Sequence, residues 1–168
     1  HLVFETPGLF RNLLDTSVSF VNAKLAQLYQ TPFDPAEGSN WVKTTLGPER
    51  KGLLNRAAFA ASHAYPHASS PIHRGHFIIE NLLCQKLVIP PFPITELPEV
   101  PNGTVRDRLE IHREDPVCAS CHERLDPLGI AFEHFDGIGQ WRGSYENGTP
   151  VDATGTVNSP ALSFKSSS

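Results

Sequence analysis

The sequence predicts a mainly α fold that is rich in loops and proline and has few short strands. The first observation is apolar spacing. Residues that would share one face of a helix recur every three to four positions, as do Val18, Val21, Leu25 and Leu28. The second is the number of chain breakers, since 15 prolines and 12 glycines among 168 residues favour short helices joined by long loops. The third is a proline-rich stretch at 89–103, which predicts an extended connector between two parts, residues 1–88 and 104–168.

The N-terminal part is predicted to hold three helices, over residues 7–30, 52–62 and 71–86. Pro7 suits the first turn of a helix, and the stretch from Thr31 to Pro35 ends the apolar spacing that follows Pro7. Ser70 followed by Pro71 is typical of an N-cap and a first helical residue. Residues 36–50 are expected to form a loop or short strand, and residues 63–70 a loop rich in histidine and serine.

The C-terminal part is predicted to begin with a helix over 104–114, because Thr104 and Asp107 have the spacing of a capping box. Pro116 is expected to interrupt this helix. A second short helix should follow and should end at 126–129, where the sequence is Asp-Pro-Leu-Gly. Short strands are expected at 138–142 and 149–156.

The most informative motif is Cys-Ala-Ser-Cys-His at residues 118–122. The C-x-x-C-H spacing is the attachment signature of c-type haem. Two thiols three positions apart can each form a thioether with one haem vinyl group, and the next histidine can give iron an axial nitrogen. We therefore expect Cys118, Cys121 and His122 to bind one covalent haem c. A carbonyl or carboxylate should orient the other ring nitrogen of His122.

Three other interpretations of the motif remain open. A thioredoxin-like dithiol would follow a strand, whereas a helix is predicted before Cys118. A zinc site could combine Cys118, Cys121, Cys84 and a histidine, but no second C-x-x-C or H-x-x-x-H is present. A simple disulfide between the two motif cysteines is the third. Haem attachment is favoured over all of these.

Composition narrows the class of protein further. The net charge of −4 implies no broad basic patch, so we expect no nucleic-acid partner. No apolar run reaches the length of a membrane span. Haem c is attached outside the cytoplasmic membrane, yet no signal peptide is visible, so His1 is expected to begin a processed or excerpted chain. Methionine is absent, and the commonest second axial ligand of small cytochromes c therefore cannot come from this chain.

Motifs along nearly the whole chain resemble one known family, and they occur in its order. They lie at 19–29, 50–54, 69–77, 80–84, 106–113, 115–122, 125–129, 132–142 and 150–155. Together they resemble the C-terminal half of the planctomycete-type multidomain cytochrome c proteins, which combine domains of unknown function with a single C-terminal haem motif. One departure is Leu125, where many members have methionine.

The resemblance implies a cytochrome c-like haem domain preceded by a small helical domain. It also implies a periplasmic or extracellular bacterial protein, and a chain that belongs to a larger polypeptide or complex. It supplies no substrate, because the function of the family is largely unassigned.

The sixth iron position could be taken by one of several histidines. The candidates are His63, His67, His73, His76, His112 and His134. His63 is favoured because it follows a predicted buried helix that could fix it, and His73 comes next. His112 precedes Cys118 by six residues and is better placed for the haem edge or a propionate. The remaining alternative is an open, five-coordinate iron.

Other charged and thiol-bearing residues carry weaker predictions. The arginines that could pair with haem propionates, or form surface salt bridges instead, are Arg74, Arg113 and Arg142. The aspartates expected to form turns rather than bind calcium are Asp126, Asp136 and Asp152. Cys84 is expected to be buried as a small hydrophobic residue, or bonded to a segment outside this chain.

These observations support three hypotheses for function. The favoured one is electron transfer to a redox partner protein, with His122 and His63 on iron. The second is a haem oxidoreductase similar to a peroxidase, with an open distal site. The third is an interaction module in which the haem is structural, and its support is the proline-rich connector and the odd cysteine, Cys84.

Overall fold

The computed structural model describes residues 9–87, 97–158 and 161–164. In these ranges the protein is mainly α with few short strands, as predicted. The α-helices are α1 (Leu9–Asp15), α2 (Ala23–Leu28), α3 (Ala57–Ser62), α4 (Pro71–Phe77), α5 (Val105–His112) and α6 (Pro116–Ile130). The strands form antiparallel pairs: β1 (Val18–Val21) with β2 (Val42–Thr45), β3 (Ala64–Tyr65) with β4 (Ala68–Ser69), and β5 (Gly155–Asn158) with β6 (Ala161–Phe164).

The first predicted helix, over 7–30, is wrong in its middle. α1 ends at Asp15, β1 follows, and α2 begins at Ala23 with Asn22 as its N-cap. The apolar spacing through Val18 and Val21 fits a helix, but β-branched residues also suit a strand, and pairing with β2 decides between them. Pro7 lies outside the described residues. β2 confirms the short strand expected within 36–50.

The next two helices are shorter than predicted. The segment 52–62 holds a single 3₁₀ turn at 53–55 before α3. The Ser70 hydroxyl accepts a hydrogen bond from the His73 N–H at 3.2 Å, which confirms Ser70 as the N-cap of α4. α4 then passes into a π-helical turn at Ile78–Leu82, so the helix ends before residue 86.

In the C-terminal part, the capping box of Thr104 and Asp107 is confirmed. α6 begins at Pro116 with Asp115 as its N-cap, as expected from the break between the two helices. The prediction that this helix ends at 126–129 is wrong, because it continues through Pro127 to Ile130.

Close packing of α6 against α4 explains why the helix continues past Pro127. A Cβ atom at Gly129 would overlap the Pro71 carbonyl, and one at Gly75 would overlap the Leu125 carbonyl. Residue 71 therefore faces 129 while 75 faces 125, so the two helices cross antiparallel. The C-terminal end of α4 lies beside the N-terminal half of α6, where the C-x-x-C-H motif is.

The strands expected at 138–142 and 149–156 are reduced to isolated bridges. Phe135 bridges to Trp141, and Ser144 bridges to Pro150. A regular strand begins only at Gly155. Asp136 forms a turn in this segment, as the sequence predicts for this residue. Its side chain accepts hydrogen bonds from the Ile138 and Gln140 N–H groups.

Two buried arginines tie residues before the connector to residues after it. Arg50 stacks 4.2 Å over the Tyr29 ring and donates a hydrogen bond to the Gly139 carbonyl at 2.9 Å. Arg74 is fully buried, and it donates to the carbonyls of Ala60, Phe132, Phe135 and Asp136. Burial lowers the pKa of Arg74 to about 10, so it stays protonated at neutral pH. The described residues on the two sides of 89–103 thus pack together, while the domain boundary itself stays a prediction.

Candidate haem site

The motif residues share one side of α6. Cys118 and Cys121 lie three positions apart, and His122 lies four positions after Cys118, so all three project from neighbouring positions on the helix surface. The two cysteines are half-buried and are not joined by a disulfide bond. Two thiols beside a histidine, on one helical surface, form the donor set that covalent haem c requires.

Asp126 orients the His122 ring. The His122 Nδ1 lies 2.8 Å from the Asp126 Oδ1, one helical turn away on the same helix. A carboxylate oxygen accepts hydrogen bonds, so a neutral His122 ring that donates from Nδ1 would leave the lone pair of Nε2 for a metal. This confirms that a carbonyl or carboxylate orients the ring. The prediction of Asp126 as a turn residue is wrong, because it lies inside a helix with a side chain only 3% exposed.

Arg113 completes the charged surroundings of Asp126. The Arg113 Nε lies 3.7 Å from the Asp126 Oδ2, and this oxygen accepts no hydrogen bond within the part of the chain that the structure describes. Both residues line a cavity of about 130 Å³ between α5, α6 and β5, together with Arg106. Arg113 is therefore the predicted propionate partner that the structure brings to the motif.

His112 is in direct ring contact with the motif histidine. The rings of His112 and His122 meet edge to face, with centroids 4.6 Å apart. Burial, followed by the neighbouring His122, lowers the pKa of His112.

His63 has the same ring anchoring as His122 but different surroundings. The His63 Nδ1 lies 2.9 Å from the Phe59 carbonyl oxygen, which only accepts, so the lone pair of Nε2 is again left available. The His63 ring packs 4.7 Å from the Phe59 ring and 4.8 Å from the Phe77 ring. Phe132 extends this aromatic cluster through an edge contact with Phe59.

His63 packs against the C-terminal end of α4. Phe77, which contacts His63, is the last residue of α4. That end of α4 lies beside the motif half of α6, and a hydrogen bond from Arg124 to Gln85 joins the two segments there. On its other side, His63 contacts Phe59, whose ring in turn contacts Phe132 beyond the C-terminal end of α6.

The other candidate histidines have separate contacts. His73 packs 4.8 Å from the Tyr65 ring, His76 lies 3.5 Å from Glu80, and His67 is exposed. The His134 Nδ1 lies 2.9 Å from the Arg142 carbonyl oxygen, and its ring stacks on Trp141. These contacts hold the side chains of His73, His76 and His134 in place.

Arg74 and Arg142 lie outside the motif surroundings. The terminal nitrogens of Arg74 donate hydrogen bonds to the four carbonyls named above. Arg142 donates to the buried Glu133 carboxylate and to the Ser69 hydroxyl. Burial raises the pKa of Glu133 despite these contacts. These contacts hold the fold together, and the propionate role expected of Arg74 and Arg142 stays a prediction.

Two sequence interpretations can be corrected. The described residues contain no group of three or more histidine, cysteine, aspartate or glutamate side chains that could hold a metal ion, so the zinc alternative lacks a ligand set there. Haem iron needs fewer ligands from the protein than zinc does, because the porphyrin supplies four of the iron ligands. Cys84 is exposed rather than buried, which removes its interpretation as a small hydrophobic core residue.

Asp126 is the site residue that the sequence analysis misassigned. Its spacing from His122, four positions along one helix, was a usable signal. Pro127 argued against a continuous helix between these two residues, because proline directly after aspartate is more typical of a turn than of a helix interior.

The fold and site together define a mainly α protein with a C-x-x-C-H motif on a helix that packs closely against α4. The model of the PSCyt3 family, described as a protein of unknown function (DUF1588), matches residues 50–145. The match spans more than half of the chain, so the protein belongs to this family. It covers every residue predicted for the haem site, from His63 to Arg142. No curated protein and no solved structure matches the chain.

The helices of the described residues were compared with the length and hydropathy of a membrane span. None of their helices is both long and apolar enough to cross a bilayer.

Proposed function

We propose that this protein is a c-type cytochrome that carries one covalent haem and transfers electrons. The observation that carries the proposal is the motif on α6, where both thiols and His122 share one surface and Asp126 fixes the His122 ring. The family name PSCyt3 is consistent with a cytochrome.

The chain's own residues would hold the haem as follows. Cys118 and Cys121 would each hold the haem through one thioether bond, made by adding the thiol S–H across a haem vinyl group. His122 offers Nε2 to the iron while Asp126 keeps Nδ1 protonated. Haem c, when bound, supplies one-electron chemistry.

His63 is the proposed sixth ligand. Its Nδ1 is anchored on a carbonyl and its Nε2 is available, which is the arrangement that ligating histidines share. Its apolar surroundings of Phe59 and Phe77 would exclude water from the distal side. Two histidine ligands give a low-spin centre with a lower potential than a methionine–histidine pair, which suits electron transfer.

The cellular setting belongs to the same proposal. A covalent haem c implies a periplasmic or extracellular location and a redox partner protein that delivers or accepts the electron. Arg113 remains a candidate for a propionate contact, since it lies beside the motif with its side chain 29% exposed. The resemblance to multidomain cytochromes implies that this chain acts as part of a larger polypeptide or complex.

Spectroscopy with carbon monoxide tests the proposed ligation. The protein is expressed with the haem-attachment machinery, reduced with dithionite and exposed to carbon monoxide. A sharp low-spin α band and slow carbon monoxide binding are expected for the native chain, and rapid binding for His63→Ala. His67→Ala is the matched control, because His67 is exposed in the neighbouring hairpin turn.

Rapid carbon monoxide binding to the native protein would overturn histidine–histidine ligation and favour the haem oxidoreductase. An iron that cannot be reduced and reoxidised, with tight partner binding, would favour the interaction module.

A further inference from the structure

Asp126 occupies an unusual position for a carboxylate. Its side chain is 3% exposed, yet only one oxygen, Oδ1, has a hydrogen-bond donor among the described residues, and that donor is His122. Asp126 also lines the cavity between α5, α6 and β5, and its Oδ2 is buried. A buried carboxylate is expensive to desolvate, and a helix of this length needs no carboxylate in its interior for stability. The position therefore calls for a role beyond folding.

The hydrogen bond gives Asp126 a direct influence on His122. A carboxylate that accepts from Nδ1 draws the hydrogen toward itself and raises the electron density at Nε2, so the imidazole becomes a stronger donor. A stronger donor stabilises the more highly charged, oxidised metal over the reduced one. Hydrogen bonding to the axial ligand is one of the means by which a protein sets a haem potential.

Arg113 acts on Asp126 in the opposite direction. The Arg113 Nε lies 3.7 Å from Asp126 Oδ2, which is longer than a hydrogen bond, so the interaction is mainly one of charge. A guanidinium this close to a buried carboxylate attracts its negative charge and weakens its hold on the Nδ1 hydrogen. Arg113 thus moderates the donor strength that Asp126 confers.

We propose that Asp126 and Arg113 are positioning residues that set the reduction potential of the haem through His122, Asp126 lowering it and Arg113 raising it. This inference rests on the proposed function, because it needs iron on His122. It goes beyond that function in naming the residues that control the potential and the sign of each effect.

Spectroelectrochemical titration of the haem-loaded protein tests the inference. Asp126→Asn should shift the reduction potential upward. The neutral amide oxygen still accepts a hydrogen bond from Nδ1, but it attracts the Nδ1 hydrogen less strongly than a carboxylate does. Arg113→Gln should shift it downward. In the double variant the effect of Arg113→Gln should be smaller than in the native background, since its target carboxylate is gone.

Matched controls separate this coupling from a general effect of charge. Asp115→Asn makes the same change on the same helix, at an exposed N-cap where asparagine also caps. Arg124→Gln removes an exposed cation from the same helix. Both controls should leave the potential near its native value, because exposed charges are screened by solvent and salt.

The Nδ1–H proton of His122 provides a second readout that a merely structural role would not move. Its NMR signal is recorded for the diamagnetic reduced protein. It should lie far downfield in the native chain, shift upfield in Asp126→Asn, and stay in place in Asp115→Asn. Arg113 is partly exposed, so Arg113→Gln keeps the inference testable if Asp126→Asn fails to fold.

Haem content is measured first in every variant, so the two failures are distinguishable. Absence of covalent haem from the native chain overturns the proposed function, and the tuning role with it. Covalent haem with potentials unchanged in both Asp126→Asn and Arg113→Gln, or shifted in the same direction in both, overturns only this inference.

Discussion

His122 and His63 present the same ring geometry in opposite surroundings. Each ring has its Nδ1 anchored on an oxygen and its Nε2 available. His122 is anchored by a carboxylate in a charged group with Arg113, whereas His63 is anchored by the Phe59 carbonyl among aromatic rings. The charged surroundings of His122 can change the electron density of its ring. The aromatic surroundings of His63 can only hold its ring in place and exclude water from it.

The difference follows from the backbone that carries each ring. His122 lies inside α6, where a residue four positions later shares its face and can present a carboxylate. His63 is the C-cap of α3, where the Phe59 carbonyl accepts from the backbone N–H of His63 and also lies 2.9 Å from its ring Nδ1. We therefore expect changes near His122 to alter haem retention and potential, and changes near His63 to alter access to the iron.

Replacing His122 should have the largest effect. His122→Ala removes the proposed iron ligand of the motif, and we expect most of the covalent haem to be lost from the purified protein. Haem per chain, measured from the haemochrome spectrum, provides the check. His63→Ala should retain haem at the native ratio, and equal losses in the two variants would contradict the distinction between them.

Replacing Gly129 should have the next largest effect, because its lack of a side chain lets α4 and α6 approach closely. A Cβ there overlaps a backbone carbonyl of α4, which cannot rotate away as a side chain could. Gly129→Ala should cost about 3 kcal/mol of unfolding free energy, measured by urea denaturation.

Gly143→Ala is the matched control for Gly129→Ala, since a Cβ there would meet only ordinary contacts with the Trp141 ring. Equal stability losses in the two variants would show that the helix crossing is not tight.

Replacing Phe77 should have a smaller effect, confined to the His63 side. Phe77→Leu removes the aromatic contacts with His63 and Phe59 and should cost about 1 kcal/mol of unfolding free energy. Carbon monoxide should then bind faster while the haem content stays native. Phe20→Leu, at a ring 44% exposed on β1, should change neither quantity. A change in haem content with unchanged carbon monoxide binding would reverse the assignment of the two sides.

The sequence predicted the parts of the site that depend on local spacing. The motif cysteines, His122 and the capping box at Thr104 depend on residues within one helical turn of each other, and their local arrangement is confirmed. The N-cap at Ser70 is of the same kind.

Features that depend on tertiary packing were missed. α6 continues past Pro127, where Gly129 and Gly75 let α4 and α6 approach closely. No local sequence pattern predicts that approach. β1 replaces a predicted helix because a distant strand pairs with it. Arg74 was assigned to a ligand, whereas its partners are backbone carbonyls far along the chain, which a linear reading of charge cannot reveal.

Covalent haem at Cys118 and Cys121 is the central claim, and intact mass spectrometry tests it most directly. The chain is expressed with the haem-attachment machinery, denatured to remove loosely bound haem, and weighed. The account predicts a mass increase of one haem per chain, a haemochrome spectrum typical of two thioether bonds, and loss of the added mass in the Cys118→Ser, Cys121→Ser double variant. A native chain that carries no added mass under these conditions would contradict it.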